Sequence, residues 1–144
     1  MKQIRVCNRQ RRFCIVSEKI QKATTILMDE LLETNEYDLN IVFVTETRMA
    51  KINLEHLFHE GATDIITFDY TTPTLLHGEL IICSAVANEH AIQHQVTLGH
   101  EIARNIVHGV LHLLGYDDKE STARKIMKRE ENRLLRKLAC RFSL

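Results

Sequence analysis

The sequence predicts an α+β fold, a small mixed β-sheet of about four strands packed with helices. Short runs rich in β-branched and aromatic residues, LNIVFVT at 39–45, DIITFDY at 64–70 and ELIIC at 79–83, are interleaved with helical spacing in the first half of the chain. From Ser84 onward the pattern is helical to the end. A length of 144 residues, 44% hydrophobic and 26% charged, suits one domain over residues 1–144 with its own core and is short for two.

Taken in order, residues 4–8 and 12–16 read as short extended pieces. Ser17 is the expected cap of a helix whose apolar positions Ile20, Ala23, Leu27 and Leu31 recur at helical spacing and which ends near Asn35. After the strand at 39–45, Thr47 is the expected cap of a short helix through about Phe58, and Gly61 the residue that breaks it before the strand at 64–70. TTPTLLHG, with the only proline, turns the chain into 79–83, so these two strands read as a hairpin. Ser84 and Thr97 are the expected caps of two further helices, the second running to Leu114 and stopped by Gly115. A last helix starts near 118–121 with Ile126, Met127, Leu134 and Leu138 facing inward.

Composition narrows the function. No eighteen-residue apolar stretch occurs and MKQIRVCNRQRRF lacks a signal peptide's apolar segment, so the expectation is a soluble, cytoplasmic protein without a membrane partner. Cys7, Cys14, Cys83 and Cys140 form no CxxC pair and read as reduced core fillers. The net charge of zero hides an asymmetry: residues 1–12 hold five Lys/Arg and no acid, and residues 119–144 hold nine against three Glu. Two basic ends around an acidic body fit a phosphate-binding surface, or equally a solvated helix face plus a fraying arm.

The chemistry concentrates in HGVLHLLGYDD, residues 108–118. His108 and His112 lie four apart, hence on one helical face, and can aim both imidazoles at one ion. Spacing alone is weak evidence. His90 and His94 share it among Asn88, Glu89, Gln93 and Gln95, where the pair reads as solvated. The second pair continues: His108, His112, Gly115 and Asp118 follow the zincin pattern HExxHxxGxxH, whose glycine lets the chain return a third ligand. The register favours Asp118 over its neighbour Asp117. Gly109 stands where metalloproteases carry a glutamate base, which argues against a peptidase. A carboxylate third ligand leaves a bound zinc ion with less net charge than three imidazoles would, and admits Mn²⁺ or Co²⁺ beside Zn²⁺. Three protein ligands also leave one position open, the mark of a catalytic site.

HEIARNIVHGVLHLLGYDD resembles the corresponding stretch of the YbeY family, bacterial single-domain metal-dependent endoribonucleases. ATDIITF at 62–68 is similar to the family's PTDVLSF segment, HGELII at 77–82 to its LGDIxI, and Met127 and Glu131 fall where the family carries Met and Glu. The resemblance implies a cytoplasmic single-strand endoribonuclease that binds one zinc ion, associates with rRNA and the small ribosomal subunit, and acts in rRNA 3′-end maturation and ribosome quality control. It implies His108 and His112 as ligands, with Asp118 in place of the family's third histidine and Leu57 in place of a family arginine.

Arg104, one turn before His108, is the candidate group to approach a phosphate at the metal. The alternative is an ion pair with Asp118 or Glu101. Arg9, Arg11, Arg12, Lys125, Arg129 and Arg133 are the candidate RNA-backbone contacts, from the basic arm and the last helix. No residue stands out as general base, and no exposed aromatic for base stacking is identifiable. The competing reading is a non-catalytic ribosome assembly factor with a structural metal, and a metallopeptidase comes behind it.

Overall fold

The computed structural model describes residues 1–57 and 63–144. The expected helix end at Phe58, the break at Gly61 and the first residue of the 62–68 segment lie outside the described residues. Four strands, β1 (Lys2–Asn8), β2 (Tyr37–Val44), β3 (Ile65–Asp69) and β4 (Leu76–Cys83), form one sheet in the order β1-β2-β4-β3. β1, β2 and β4 are mutually parallel, and β3 pairs antiparallel with β4 as the hairpin reading required.

Among the described residues five helices surround it: α1 (Ser17–Thr25), α2 (Glu46–Ile52), α3 (Ser84–His94), α4 (Leu98–Leu113) and α5 (Ser121–Arg141). Strand alternation sends Leu39, Ile41, Leu80 and Ile82 to one face, where they pack on Ile106, Val107, Val110 and Leu111 of α4 and on Met127 and Leu134 of α5. Val42, Val44, Ile66 and Ile81 point the other way, onto Met49 and Ile52 of α2. α4 is thus covered nearly all round, and His100, Arg104, His108 and His112, spaced four apart, form its half-buried stripe. No helix among the described residues is long and apolar enough to cross a membrane.

Several expectations are corrected. Residues 12–16 form no strand: the chain bends there around buried Gln10, whose side chain donates to Asn8 and to the Phe13 carbonyl and accepts from the Phe13 amide. Ser17 is the first residue of α1 and Val16 precedes it without a side-chain cap. α1 continues as a π-helical turn over Ile26–Leu31 and stops before Asn35, with Glu33 in the left-handed region at φ 49°. Thr45, two residues before Thr47, caps α2 by accepting from the Arg48 amide, and α2 runs on as a π-helical turn over Asn53–Leu57. Cys83, not Ser84, is the N-cap of α3, and the buried Ser84 Oγ has no partner among the described residues. Ile126 is half exposed, one position off the inward stripe of Met127, Leu134 and Leu138. Of the cysteines only Cys83 is buried, its thiol pKa pushed up by that burial, while Cys14 and Cys140 are exposed.

Candidate metal centre

Thr97 caps α4 as expected, its hydroxyl accepting from the His100 amide. At the other end Gly115 adopts φ 99°, open to glycine and strained for other residues. Its amide bonds the His112 carbonyl and the Tyr116 amide bonds the Leu111 carbonyl at 3.0 Å each, the paired bonds of a Schellman turn. That reversal brings residues 116–118 back over the last turn of α4.

The consequence is a convergence of three side chains. His108 Nε2 and His112 Nε2 are 3.1 Å apart, and Asp118 Oδ2 lies 3.7 Å from the first and 3.5 Å from the second. The centre of that triangle is about 2 Å from each corner, the distance at which zinc takes nitrogen and oxygen ligands. Asp117 does not enter the site; its carboxylate accepts from the Lys119 amide.

The chemistry of the donors agrees with the distances. His108 Nδ1 faces Glu131 Oε1 at 2.8 Å and His112 Nδ1 faces the Tyr116 carbonyl at 3.2 Å. Both partners are acceptors, so both rings carry their proton on Nδ1 and turn the Nε2 lone pairs toward each other and toward the Asp118 carboxylate. Three acceptors facing one another repel unless a cation sits among them, and the group of His108, His112 and Asp118 can hold a metal ion.

Gly109 has a packing reason. A Cβ there would lie 2.6 Å from Leu80 Cδ2 and 3.1 Å from Ile65 Cδ1, so α4 rests on the sheet at this position and a side chain would run into the core. Gly78 on β4 is the matching gap, where a Cβ would meet Leu113 Cδ2 at 2.6 Å and the Phe68 carbonyl at 2.9 Å. No base can project toward the three donors from residue 109.

Glu131 is what the motif reading missed. It is 3% exposed on α5 and accepts from His108 Nδ1, from Arg104 Nη1 at 2.6 Å and from Lys128 Nζ at 2.9 Å. Burial pushes its carboxyl pKa up, but the hydrogen bonds from His108, Lys128 and Arg104 outweigh it and hold the group at about 2. The sequence did hold a sign: Glu131 falls in the inward stripe of α5 between Met127 and Leu134, where a charge needs a partner.

Arg104 therefore pairs with Glu131 and also donates to Asn132 Oδ1 at 2.9 Å, and not with Asp118 or Glu101. His90 and His94 are partly exposed as a solvated pair would be, yet each has a carboxylate neighbour at 3.5 Å, Asp64 and the buried Glu101. Among the basic candidates, Arg9, Arg11, Lys125 and Arg129 are exposed, Arg12 pairs with Glu46 on α2, and Arg133 with Glu130 one turn earlier on α5.

A family model described as Endoribonuclease YbeY matches residues 5–139. The chain belongs to the YbeY endoribonuclease family. A relative named Endoribonuclease YbeY from Finegoldia magna is 32% identical over 142 residues, covering 94% of this chain and 93% of the relative. One of the same name from Parabacteroides distasonis is 37% identical over 98 residues, 68% of this chain and 69% of its own. The solution structure of TM1509 from Thermotoga maritima shares the fold with a TM-score of 0.69 at 22% identity, over 94% of this chain and 88% of that one. The YbeY fold places its helices and sheet as the sequence reading expected, an α+β architecture with the three-donor cluster on a helix of the C-terminal half and the loop after it.

Proposed function

We propose that this YbeY family member is a metal-dependent single-strand endoribonuclease, cytoplasmic and acting on the small ribosomal subunit in rRNA 3′-end maturation and ribosome quality control. Zinc, one ion, is the proposed metal, with His108, His112 and Asp118 its ligands and Mn²⁺ or Co²⁺ the alternatives a carboxylate ligand admits. The observation that supports this best is the approach of His108 Nε2, His112 Nε2 and Asp118 Oδ2 within 3.7 Å of one another on a half-exposed surface.

A bound divalent ion supplies Lewis acidity to a phosphodiester oxygen. The remaining work falls to the chain. Glu131 locks the His108 ring and its tautomer, and the Tyr116 carbonyl does the same for His112. Arg104 is held on its Nη1 side by Glu131 and Asn132, so its plane is fixed one turn along α4 from His108 and its other donors are available to a phosphate oxygen. Gly109 contributes packing and no base, which disfavours the peptidase reading. Arg9, Arg11, Arg12, Lys125, Arg129 and Arg133 are proposed to hold the RNA backbone outside this centre.

The test uses the purified chain and a single-stranded RNA carrying a small-subunit rRNA 3′ end. Cleavage is expected with zinc, lost on chelation, and lost together with bound metal in His108→Ala and Asp118→Asn, whereas Asp117→Asn keeps both. Circular dichroism separates the rival assembly-factor reading: a chelated protein that unfolds, and a folded loaded protein that never cleaves, would make the metal structural.

A further inference from the structure

We propose that the face of the sheet opposite α4 is a binding surface for single-stranded RNA, a reading that rests on RNA being the substrate. α2 covers only part of that face. Beside it lies a groove of about 950 Å³, floored by the sheet and walled by α2 and the turn that follows. The strand register lays Arg5, Asn40, Glu79 and Phe68 side by side across the four strands, and one step along, Asp38, His77 and Tyr70.

Two features of this face select its occupant. The first is charge: among the described residues Arg5, Arg9 and Arg48 line the groove, with Glu79 the one carboxylate beside them. Arg5 is matched by Asp38 at 2.9 Å, Arg9 donates to the Cys7 sulfur and feels the charge of Glu79, and among the described residues no carboxylate is paired with Arg48. The surplus is positive, complementary to a polyanion. The second is ring surface on the edge strand, exposed at Tyr70 and half-buried at Phe68. Tyr70 is 54% exposed with its ring centroid 5.5 Å from that of His77, and Phe68 meets His56 edge-on at 5.6 Å.

Rings on an open four-stranded sheet, with cations along the rim, suit unstacked bases with their phosphates at the arginines. Asn40 and Glu79, joined by a 3.1 Å hydrogen bond, add a donor and acceptors for base edges on the same row. A duplex keeps its base faces stacked inside and cannot use the rings. An acidic polypeptide would satisfy the arginines but not the aromatic row. Strand alternation puts this surface across the sheet from the face on which α4 rests, so it is separate from the metal centre.

The experiment is fluorescence anisotropy with the full chain, metal removed so that nothing is cut, and a labelled mixed-sequence single-stranded RNA of twelve nucleotides. The Arg9→Gln/Arg48→Gln double variant is expected to weaken binding about tenfold and to lower the salt slope by about 0.7 for each phosphate no longer neutralised. Tyr70→Ala, at an exposed position that leaves the core intact, is expected to weaken binding severalfold, and ultraviolet crosslinks should map to the segment holding Phe68 and Tyr70. Wild-type affinity in both variants, or crosslinks confined to α4 and α5, overturns the proposal. Competition by polyglutamate as strong as by RNA of equal charge overturns it too, since a plain polyanion patch has no use for the rings. If metal-loaded protein cleaves RNA while the variants bind as wild type, only this surface fails. If wild-type protein neither binds nor cleaves RNA, the endoribonuclease reading fails with it.

Discussion

Glu131 Oε1 sits 2.8 Å from His108 Nδ1, joining α5 to the middle of α4 through a carboxylate that is 3% exposed. The same carboxylate anchors Arg104 and Lys128, so one side chain sets both the ring that faces the candidate metal position and the cation one turn away. Removing an outer partner of a ligating histidine typically costs 10–100-fold in metal affinity. Glu131→Ala is expected to fall in that range in a zinc competition titration, and Glu131→Gln, which keeps an acceptor for Nδ1, to lose less. Both variants leave Arg104 without its counter-charge, and because Arg104 and His108 are each about a quarter exposed the stability loss should be about 1–3 kcal/mol, below that of a fully buried pair. Equal zinc affinity in all three proteins would show that Glu131 serves packing alone.

What the sequence made legible follows local rules. Gly115 after a periodic run, Thr97 before one, and the Thr-Thr-Pro turn between two β-rich runs each act within a few residues, and each is found where expected. His108, His112 and Asp118 were readable for the same reason, since a helical turn and a glycine reversal bring them together with no help from elsewhere. Caps failed where several hydroxyls compete: Thr45 and Thr47 both lie at the start of α2, and the fold makes Thr45 the cap and Thr47 the second residue of the helix. Glu131 and Arg104 lie 27 residues apart and meet only because α4 and α5 pack together, so no local pattern names the pair. The aromatic row on the sheet was hidden likewise, because exposure of Tyr70 depends on which face α2 leaves uncovered.

Gly78 and Gly109 test how α4 rests on the sheet. At Gly78 a methyl group would meet two Leu113 carbons and the Phe68 carbonyl at 2.9 Å, and backbone cannot step aside as a side-chain tip can. Gly78→Ala is expected to destabilise by about 1–3 kcal/mol, the usual range for overpacking. At Gly109 the clash is with the Leu80 and Ile65 side chains, and the gain in helix propensity of about 1 kcal/mol offsets part of it. Gly109→Ala should therefore cost less than Gly78→Ala in urea unfolding. The reverse order would mean that α4 can shift on the sheet more easily at Gly78 than the Phe68 carbonyl contact allows.

Tyr37 supplies a pH signature away from the metal centre. It is 2% exposed at the start of β2 and its hydroxyl donates to Asp29 Oδ1 at 2.9 Å. Burial first, and then the bond to Asp29 and its charge, push the phenol from 10.0 to about 12. Above pH 10 the unfolded chain releases this proton while the folded chain keeps it, so stability present below pH 10 is lost as pH rises toward 12. Tyr37→Phe removes the titration and gives up a hydrogen bond worth about 1 kcal/mol at neutral pH. Tyr70 and Tyr116 are present in both proteins and cancel in the comparison. Urea unfolding from pH 8 to 12 should start with the wild type more stable, and the gap should close or reverse above pH 10. A gap that stays constant to pH 12 would mean that Tyr37 ionises alike in the folded and unfolded chain, and that its bond to Asp29 does not hold the proton.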